Sequence, residues 1–328
     1  SIASTLPVIG YAEDDIATMK NKLIVSGYDF DLVDSMAYED LIENYNMSQD
    51  ESFSITSSVV EVDIIEEIED FLQADEDTLM VEGFTEEDIL DMEENIEELS
   101  KMSLEEMEKE FGATPAEYYV LQEVIEDNQE QTTEESDSEF LEEDTVTSSG
   151  SISTSTMTYS MSSTDKSSKT APSYNIKINF NWKKAFIMRG LSDKVAAAWS
   201  GSFNTKSVSS NLTYGTVSTG NNWSTAKNAN KTNQKASVSH TPNKGITFSM
   251  TQNKKIDNAK THSVLKSGSV SFTLFQNSKK NQSSKVVSRY SHSKLGASGF
   301  GISSGGTANI NVGKKNDVSG QASKNITN

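Results

Sequence analysis

Residues 174–182 read Tyr-Asn-Ile-Lys-Ile-Asn-Phe-Asn-Trp. Tyr174, Ile176, Ile178, Phe180 and Trp182 alternate with Asn175, Lys177, Asn179 and Asn181. A period of two places the two sets on opposite faces of a β-strand. One face can enter a core while the other meets water, which is the pattern of an antiparallel sheet. It recurs at Val195, Ala197 and Trp199, at Leu212-Thr213-Tyr214, at Ile246, Phe248 and Met250, and at Val270, Phe272 and Leu274. Ile302, Ala308, Ile310 and Val312 continue it. Turn signals at Thr219–Asn222, Pro242–Gly245 and Lys266–Gly268 separate the runs. Residues 174–328 are therefore expected to form an all-β antiparallel sandwich or open barrel of about six to nine strands. At most one helical turn is expected there, near Lys183–Leu191.

Upstream the period changes to that of a helix. Asp63 precedes Ile64, Ile65, Ile68, Phe71 and Leu72, which share one helical face. Asp63 with Glu66, Thr85 with Asp88 and Ser103 with Glu106 have capping-box spacing. Thr114-Pro115-Ala116-Glu117 supplies an N-cap, a proline at the first helical position and an acid two residues on. The run SFSITSSVVEV before Asp63 alternates loosely and reads as one strand. A repeat is also present: Leu23–Tyr28 matches Leu79–Phe84, and Met36–Leu41 ending at Tyr45 matches Met102–Met107 ending at Phe111. The second copy holds about ten extra residues between its blocks. The expected unit is a helix ending at Gly27 or Gly83, a turn, and a short helix.

Charge divides the chain in the same place. Residues 1–144 hold 45 acidic and four basic side chains; residues 145–328 hold four acidic and 24 basic ones. The net charge of −21 is thus −41 set against +20. Between the periodic regions, residues 145–173 hold 18 Ser or Thr in 29 positions. The fold class expected is α+β in separate domains. An apolar N-terminal arm or signal-peptide tail spans 1–12. An acidic helical domain spans 13–144, with its hairpin duplicated at 23–45 and 79–111. A Ser/Thr-rich linker spans 145–173, and Met157, Tyr159 and Met161 within it alternate as a strand would. A basic β domain spans 174–328.

Several chemistries are absent from the composition. The chain has no cysteine, which removes disulfides, thiol nucleophiles and metal thiolates. No apolar run of about 18 residues occurs, so no membrane-spanning helix is expected. Asp29-Phe30-Asp31 and Asp75-Glu76-Asp77 open like calcium loops but lack the glycine such loops need. Gly296, Gly299 and Gly301 do not make a phosphate loop, because no helix follows them. His240, His262 and His292 have no ligand-like spacing, and Ser163-x-x-Lys166 and Ser291-x-x-Lys294 lack the partner motifs of serine acyl-enzymes. No catalytic residue, metal or cofactor is expected, and the protein is read as not an enzyme. Arg189 and Arg289 are the only arginines among the basic residues, so specific nucleic-acid readout is not expected either.

Leu23–Tyr45 resembles the start of uncharacterised exported proteins of Gram-positive, Firmicute-type bacteria. So do Asn181-Trp182-Lys183-Lys184, Leu191–Ala196 and Trp199-Ser200-Gly201. The resemblance implies export to the cell surface or medium and brings no activity. The reading that follows is a secreted or cell-surface, non-enzymatic binding protein. Its basic β domain would contact an anionic wall polymer, glycan or membrane surface, and the acidic helical domain would dock on it as a shield. Trp182, Lys183, Lys184, Arg189, Trp199 and Trp223 are the candidate binding residues. The alternative is a β-pore-forming toxin or bacteriocin-like precursor with an acidic pro-region, its strands drawn from 246–275 and 295–312.

Overall fold

The alternation at 174–182 becomes strand β3 (Ser173–Trp182), with Ile176, Ile178, Phe180 and Trp182 turned into a core between two sheets. The structure is a computed structural model. It describes residues 13–81, 84–111, 113–130, 154–183, 192–218, 231–255, 261–292, 301–302, 310–311 and 318–327. Helices come first: α1 (Glu13–Val25), α2 (Phe30–Ser35) and α3 (Tyr38–Ser48), then strand β1 (Ser54–Asp63). Next are α4 (Ile64–Gln73), α5 (Glu76–Val81), α6 (Glu86–Lys101), α7 (Leu104–Phe111) and α8 (Pro115–Glu130). The remaining described elements are strands: β2 (Thr154–Asp165), β3, β4 (Ser192–Trp199), β5 (Asn204–Ser218), β6 (Lys231–Gln234), β7 (Ser237–Thr241) and β8 (Gly245–Thr251). They continue as β9 (Asn253–Lys255), β10 (Thr261–Phe275), β11 (Ser283–His292), β12 (Gly301–Ile302), β13 (Ile310–Asn311) and β14 (Val318–Thr327).

A seven-stranded sheet runs β1-β2-β3-β10-β5-β6, with β9 beside β10; a five-stranded sheet runs β14-β11-β4-β8-β7. A short ladder pairs β12 with β13, and the pairs in all three are antiparallel. Aromatic side chains bridge the two large sheets, as in Phe180 with Tyr290 (centroids 5.0 Å apart) and Trp199 with Phe272 (5.9 Å).

Helices lie in the N-terminal half and strands dominate the C-terminal half, but the halves are not separate bodies. Strand β1 is the strand expected before Asp63, inside the region expected to be an acidic helical domain, and β2 begins inside the expected linker, where Met157, Tyr159 and Met161 alternate. They pair along their whole length, from Ser54↔Ser163 to Asp63↔Thr154, and β2 then pairs with β3. The physical reason is that Val60, Val62, Met157, Tyr159 and Met161 alternate on one face and all enter the inter-sheet core. Ser and Thr between them are β-compatible, so a Ser/Thr-rich segment need not be a flexible linker. The expected arm at 1–12, and the helical turn near Lys183–Leu191 from residue 184 onward, lie outside the described residues.

The repeat is present, but its two copies attach differently. Tyr28 N–H donates to Leu23 O and Phe84 N–H to Leu79 O, the same helix-ending bond in each copy. Leu41 N–H to Ala37 O and Met107 N–H to Ser103 O likewise open α3 and α7 alike. The extra residues of the second copy lengthen the middle helix, from six residues in α2 to 16 in α6. Helices α4–α8 share the core of the sandwich: Ile68, Met92, Met107 and Ile125 belong to the same apolar cluster as Phe180 and Tyr290. Helices α1–α3 instead close on their own small core of Met19, Leu23, Tyr28, Leu32, Val33 and Leu41. Gly27, at φ +113°, turns the chain between α1 and α2 where a Cβ would lie 2.9 Å from Ile55 Cγ2.

Lys266-Ser267-Gly268, expected to be a turn, is a bulge inside the 15-residue strand β10, with a register shift between Leu265 and Ser267. The glycine is there for space, since a Cβ at 268 would meet Phe180 Cζ at 2.6 Å and Leu212 Cδ2 at 2.8 Å. Gly268→Ala is therefore expected to destabilise the protein by about 1–3 kcal/mol through overpacking. Urea unfolding of the two proteins measures it; equal midpoints would contradict the stated close approach.

Candidate functional site

Along α3, Asp40, Glu43, Asn44 and Met47 follow the i, i+3, i+4, i+7 spacing of one helical face. Leu41 sits on another face, in the small core of α1–α3. The polar face rests on the outer side of the seven-stranded sheet. There Asn175 stays exposed, but the polar residues after it in β3 do not remain wet: Lys177 is 5 % exposed and Asn179 3 %. The expectation of a solvated strand face is corrected at this point, because a lysine flanked by amides and hydroxyls is matched by acids on the helix.

Asp40 occupies the centre of the contact. Its Oδ1 accepts hydrogen bonds from Lys177 Nζ at 3.2 Å and from Ser269 Oγ at 2.8 Å; its Oδ2 accepts from Asn211 Nδ2 at 3.2 Å. The three donors lie on β3, β10 and β5. Strand register aligns them, since Ser269 pairs with Asn179 on one side and Asn211 on the other. Lys177 Nζ also donates to Glu43 Oε2 at 2.5 Å. Beside this, Asn44 and Asn179 exchange amide hydrogen bonds of 3.2 and 3.0 Å. Tyr28 Oη donates to Asn44 Oδ1 at 2.9 Å, and burial pushes that phenol up to about 12 against the opposing effect of Ser162.

An open groove of about 520 Å³ continues from this contact, with Lys177 in its wall. Thr164, Asn175, Ser271 and Thr273 supply neutral hydrogen-bonding groups to it, and Asn46, Glu43, Asp50 and Lys166 complete the rim. Lys166 and Asp50 form an ion pair there. The Lys166 hydrogen bond, followed by that of the Ser52 hydroxyl, holds the Asp50 carboxyl well below the usual range.

The candidate binding residues are dispersed. Trp182 and Trp199 are 3 % and 4 % exposed, so their indoles fill the core and present no surface. Their N–H groups are satisfied internally, by Tyr290 Oη and by the Phe203 carbonyl. Lys183 is at the surface and pairs with Asp31 of α2 at 2.8 Å, a hydrogen bond that raises its pKa. Lys184, Arg189 and Trp223 lie outside the described residues. Reading the sequence missed Asp40, Glu43, Asn44 and Asn211, although the helical spacing of the first three was available as a signal. The aspartates that opened like calcium loops have other work. Asp29 caps α2 through the Asp31 and Leu32 amides, and Asp75 accepts from Thr78 N–H.

A second polar cluster lies sealed between the helices and the sandwich. His292 Nε2 lies 2.5 Å from Glu67 Oε1 of α4, and its Nδ1 lies 3.0 Å from Asp193 Oδ1 of β4. Asp193 also accepts from Tyr290 Oη and, at 2.7 Å, from Gln252 Nε2. Burial alone would push the imidazole down, but the two carboxylates override it and raise it to about 10. Both ring nitrogens therefore donate, and His292 is an imidazolium at neutral pH. The group is 1 % exposed, so it fastens an acidic helix to basic strands rather than meeting a ligand. Among the described residues no cluster of three His, Cys, Asp or Glu side chains could hold a metal, and no helix is long and apolar enough to cross a membrane.

No family model matches this sequence, and no curated protein does. Some solved structures are similar to part of the chain. One is the collagen-binding subdomain of Enterococcus faecalis surface protein ACE. It is 5 % identical with a TM-score of 0.24, over 51 % of this chain and 94 % of that one. Another is the collagen-binding domain of Erysipelothrix rhusiopathiae surface protein RspB. It is 10 % identical with a TM-score of 0.22, over 53 % of this chain and 65 % of that one. A third is AvmM, which catalyses macrocyclization in alchivemycin A biosynthesis, at 10 % identity, TM-score 0.18 and coverage of 48 % and 80 %.

Proposed function

We propose that this chain is a non-enzymatic binding protein of the bacterial cell surface or exterior, whose polar β face contacts an anionic polymer. In this reading α2 and α3 are a built-in polyanion over that face. The supporting observation is the seating of Asp40, from the acidic half, on Lys177, Ser269 and Asn211 of the basic half. Each of those donors needs an acceptor once buried, and a carboxylate or phosphate supplies one. The groove beside them is broad and open, with hydroxyls and amides set among the apolar Met47, Ile176 and Phe272, which suits an extended polyol chain better than a compact substrate.

The test is binding of the full chain to immobilised polygalacturonate, polyglycerol phosphate and neutral dextran at two salt concentrations. Binding to the anionic polymers alone, weakening as salt rises from about 0.05 to 0.15 M, is the expected result. Equal binding to dextran, or none to any anionic polymer at the lower salt, would sink it. Dye release from anionic liposomes would favour pore formation. The first segment named for that role does not form a single hairpin, because β8 and β10 belong to different sheets. The second, 295–312, is described only at 301–302 and 310–311, as the short β12–β13 ladder.

A further inference from the structure

We infer that Asp40 is a surrogate ligand: the Lys177–Ser269–Asn211 cradle is a carboxylate site for an acidic glycan, plugged in this state by the α1–α3 unit. This rests on the binding role proposed above and assigns it a site, a sugar chemistry and a latch.

Three features converge on it. The donors come from three adjacent strands held in register, so the cradle stays in place when the helix is absent. The plug has its own apolar core, which touches the sheet at Ile55 of β1, while much of its hold on the β2–β3–β10–β5 face is polar. Tyr28 meets Ser162, Asn44 meets Asn179, Asp40 and Glu43 meet Lys177, and Asp31 meets Lys183. Water can replace such contacts at small net cost, unlike an apolar seam. Finally, Lys177 belongs to both the cradle and the groove wall. A sugar carboxylate in the cradle would place neighbouring hydroxyls against Thr164, Asn175, Ser271 and Thr273. Lysine supplies the charge and the neutral side chains supply the polyol contacts.

Two variants of the full chain test this. Asp40→Ala vacates the cradle without removing a donor. Its melting temperature should fall below that of the parent and recover on adding free galacturonate, while the parent and Asp40→Ala/Lys177→Met do not respond. The second variant, Asp31→Cys/Lys183→Cys, joined by a short bifunctional thiol reagent, ties α2 to the end of β3. The chain has no other cysteine, so the link is unique. Linking should weaken polygalacturonate binding by roughly tenfold or more, and Asp40→Ala should strengthen it by a similar factor. A natively folded Asp40→Ala whose melting ignores galacturonate overturns the inference. So does polymer binding that neither variant changes, an outcome in which the binding role stands and the site is elsewhere. If Asp40→Ala responds to galacturonate but no form binds any polymer, the cradle stands and the broader role falls.

Discussion

His292→Ala is expected to destabilise the protein by about 3–5 kcal/mol, because it removes the cation from a sealed pair of carboxylates. Glu67 and Asp193 are 3 % and 0 % exposed, so neither can recover the loss from water. The same group predicts a pH dependence. In the folded state the imidazole titrates near 10; when unfolded it titrates near its ordinary 6.5. A pKa raised on folding gives stability that is complete below the unfolded value and is lost as pH rises through the folded one. Unfolding free energies from urea titrations should therefore decline between about pH 6.5 and 9.5, and His292→Ala should remove most of that decline. A parent protein whose stability is flat over this range would show that His292 is neutral in the fold. A triple replacement of Glu67, Asp193 and His292 by apolar residues should cost much less than His292→Ala, since it leaves no unpaired charge.

The second large effect concerns where the chain can be cut. A fragment of residues 174–328, the β domain as its sequence delimits it, is expected not to fold. It lacks β1 and β2 and thus Val60, Val62, Met157, Tyr159 and Met161 of the core. At about 1.5–3 kcal/mol for each buried side chain, that loss is comparable to the whole stability of a domain, about 5–15 kcal/mol. It also strips Glu67 from His292 and leaves β3 as a bare apolar edge, which invites aggregation. Residues 54–328 keep both strands and α4–α8 and should fold cooperatively, with a lower melting temperature from uncovering Ile55 and the polar face. Circular dichroism and sedimentation of the two fragments decide it; a monomeric, cooperatively melting 174–328 would refute the shared core.

Local features were legible because their causes are local. Thr85 and Asp88 form the reciprocal capping box that their spacing implies. Asp63 accepts from the Ile65 and Glu66 amides, and Ser103 and Glu106 exchange bonds in the same manner. Pro242-Asn243-Lys244-Gly245 does turn the chain between β7 and β8, with Asn243 at φ +58° and Lys244 N–H donating to Thr241 O. Even the loosely alternating run before Asp63 is a strand. Composition was the weaker guide: within the Ser/Thr-rich stretch 145–173, residues 154–165 form the second strand of the larger sheet, as the alternation of Met157, Tyr159 and Met161 suggests, and the turn signal at Gly268 marks a bulge. The tryptophans were poor binding candidates for a related reason. Large aromatic rings with one polar N–H are as well suited to a core that offers an acceptor as to a surface.

Kinds of element, their caps, the duplicated hairpin and the opposite charges of the two halves can all be read along the chain, since they lie in short stretches or in simple counts. How the halves meet is settled by long-range packing. Glu67 and His292 are 225 positions apart, and Asp40 and Ser269 are 229 apart. Nothing in periodicity or charge balance selects one such pair among many acids and cations. Strand register and the burial of β1 and β2 make the choice, by bringing particular donors to places where water cannot serve them. The opposition of −41 and +20 thus becomes a shared core at α4–α8 and a largely polar contact at α1–α3.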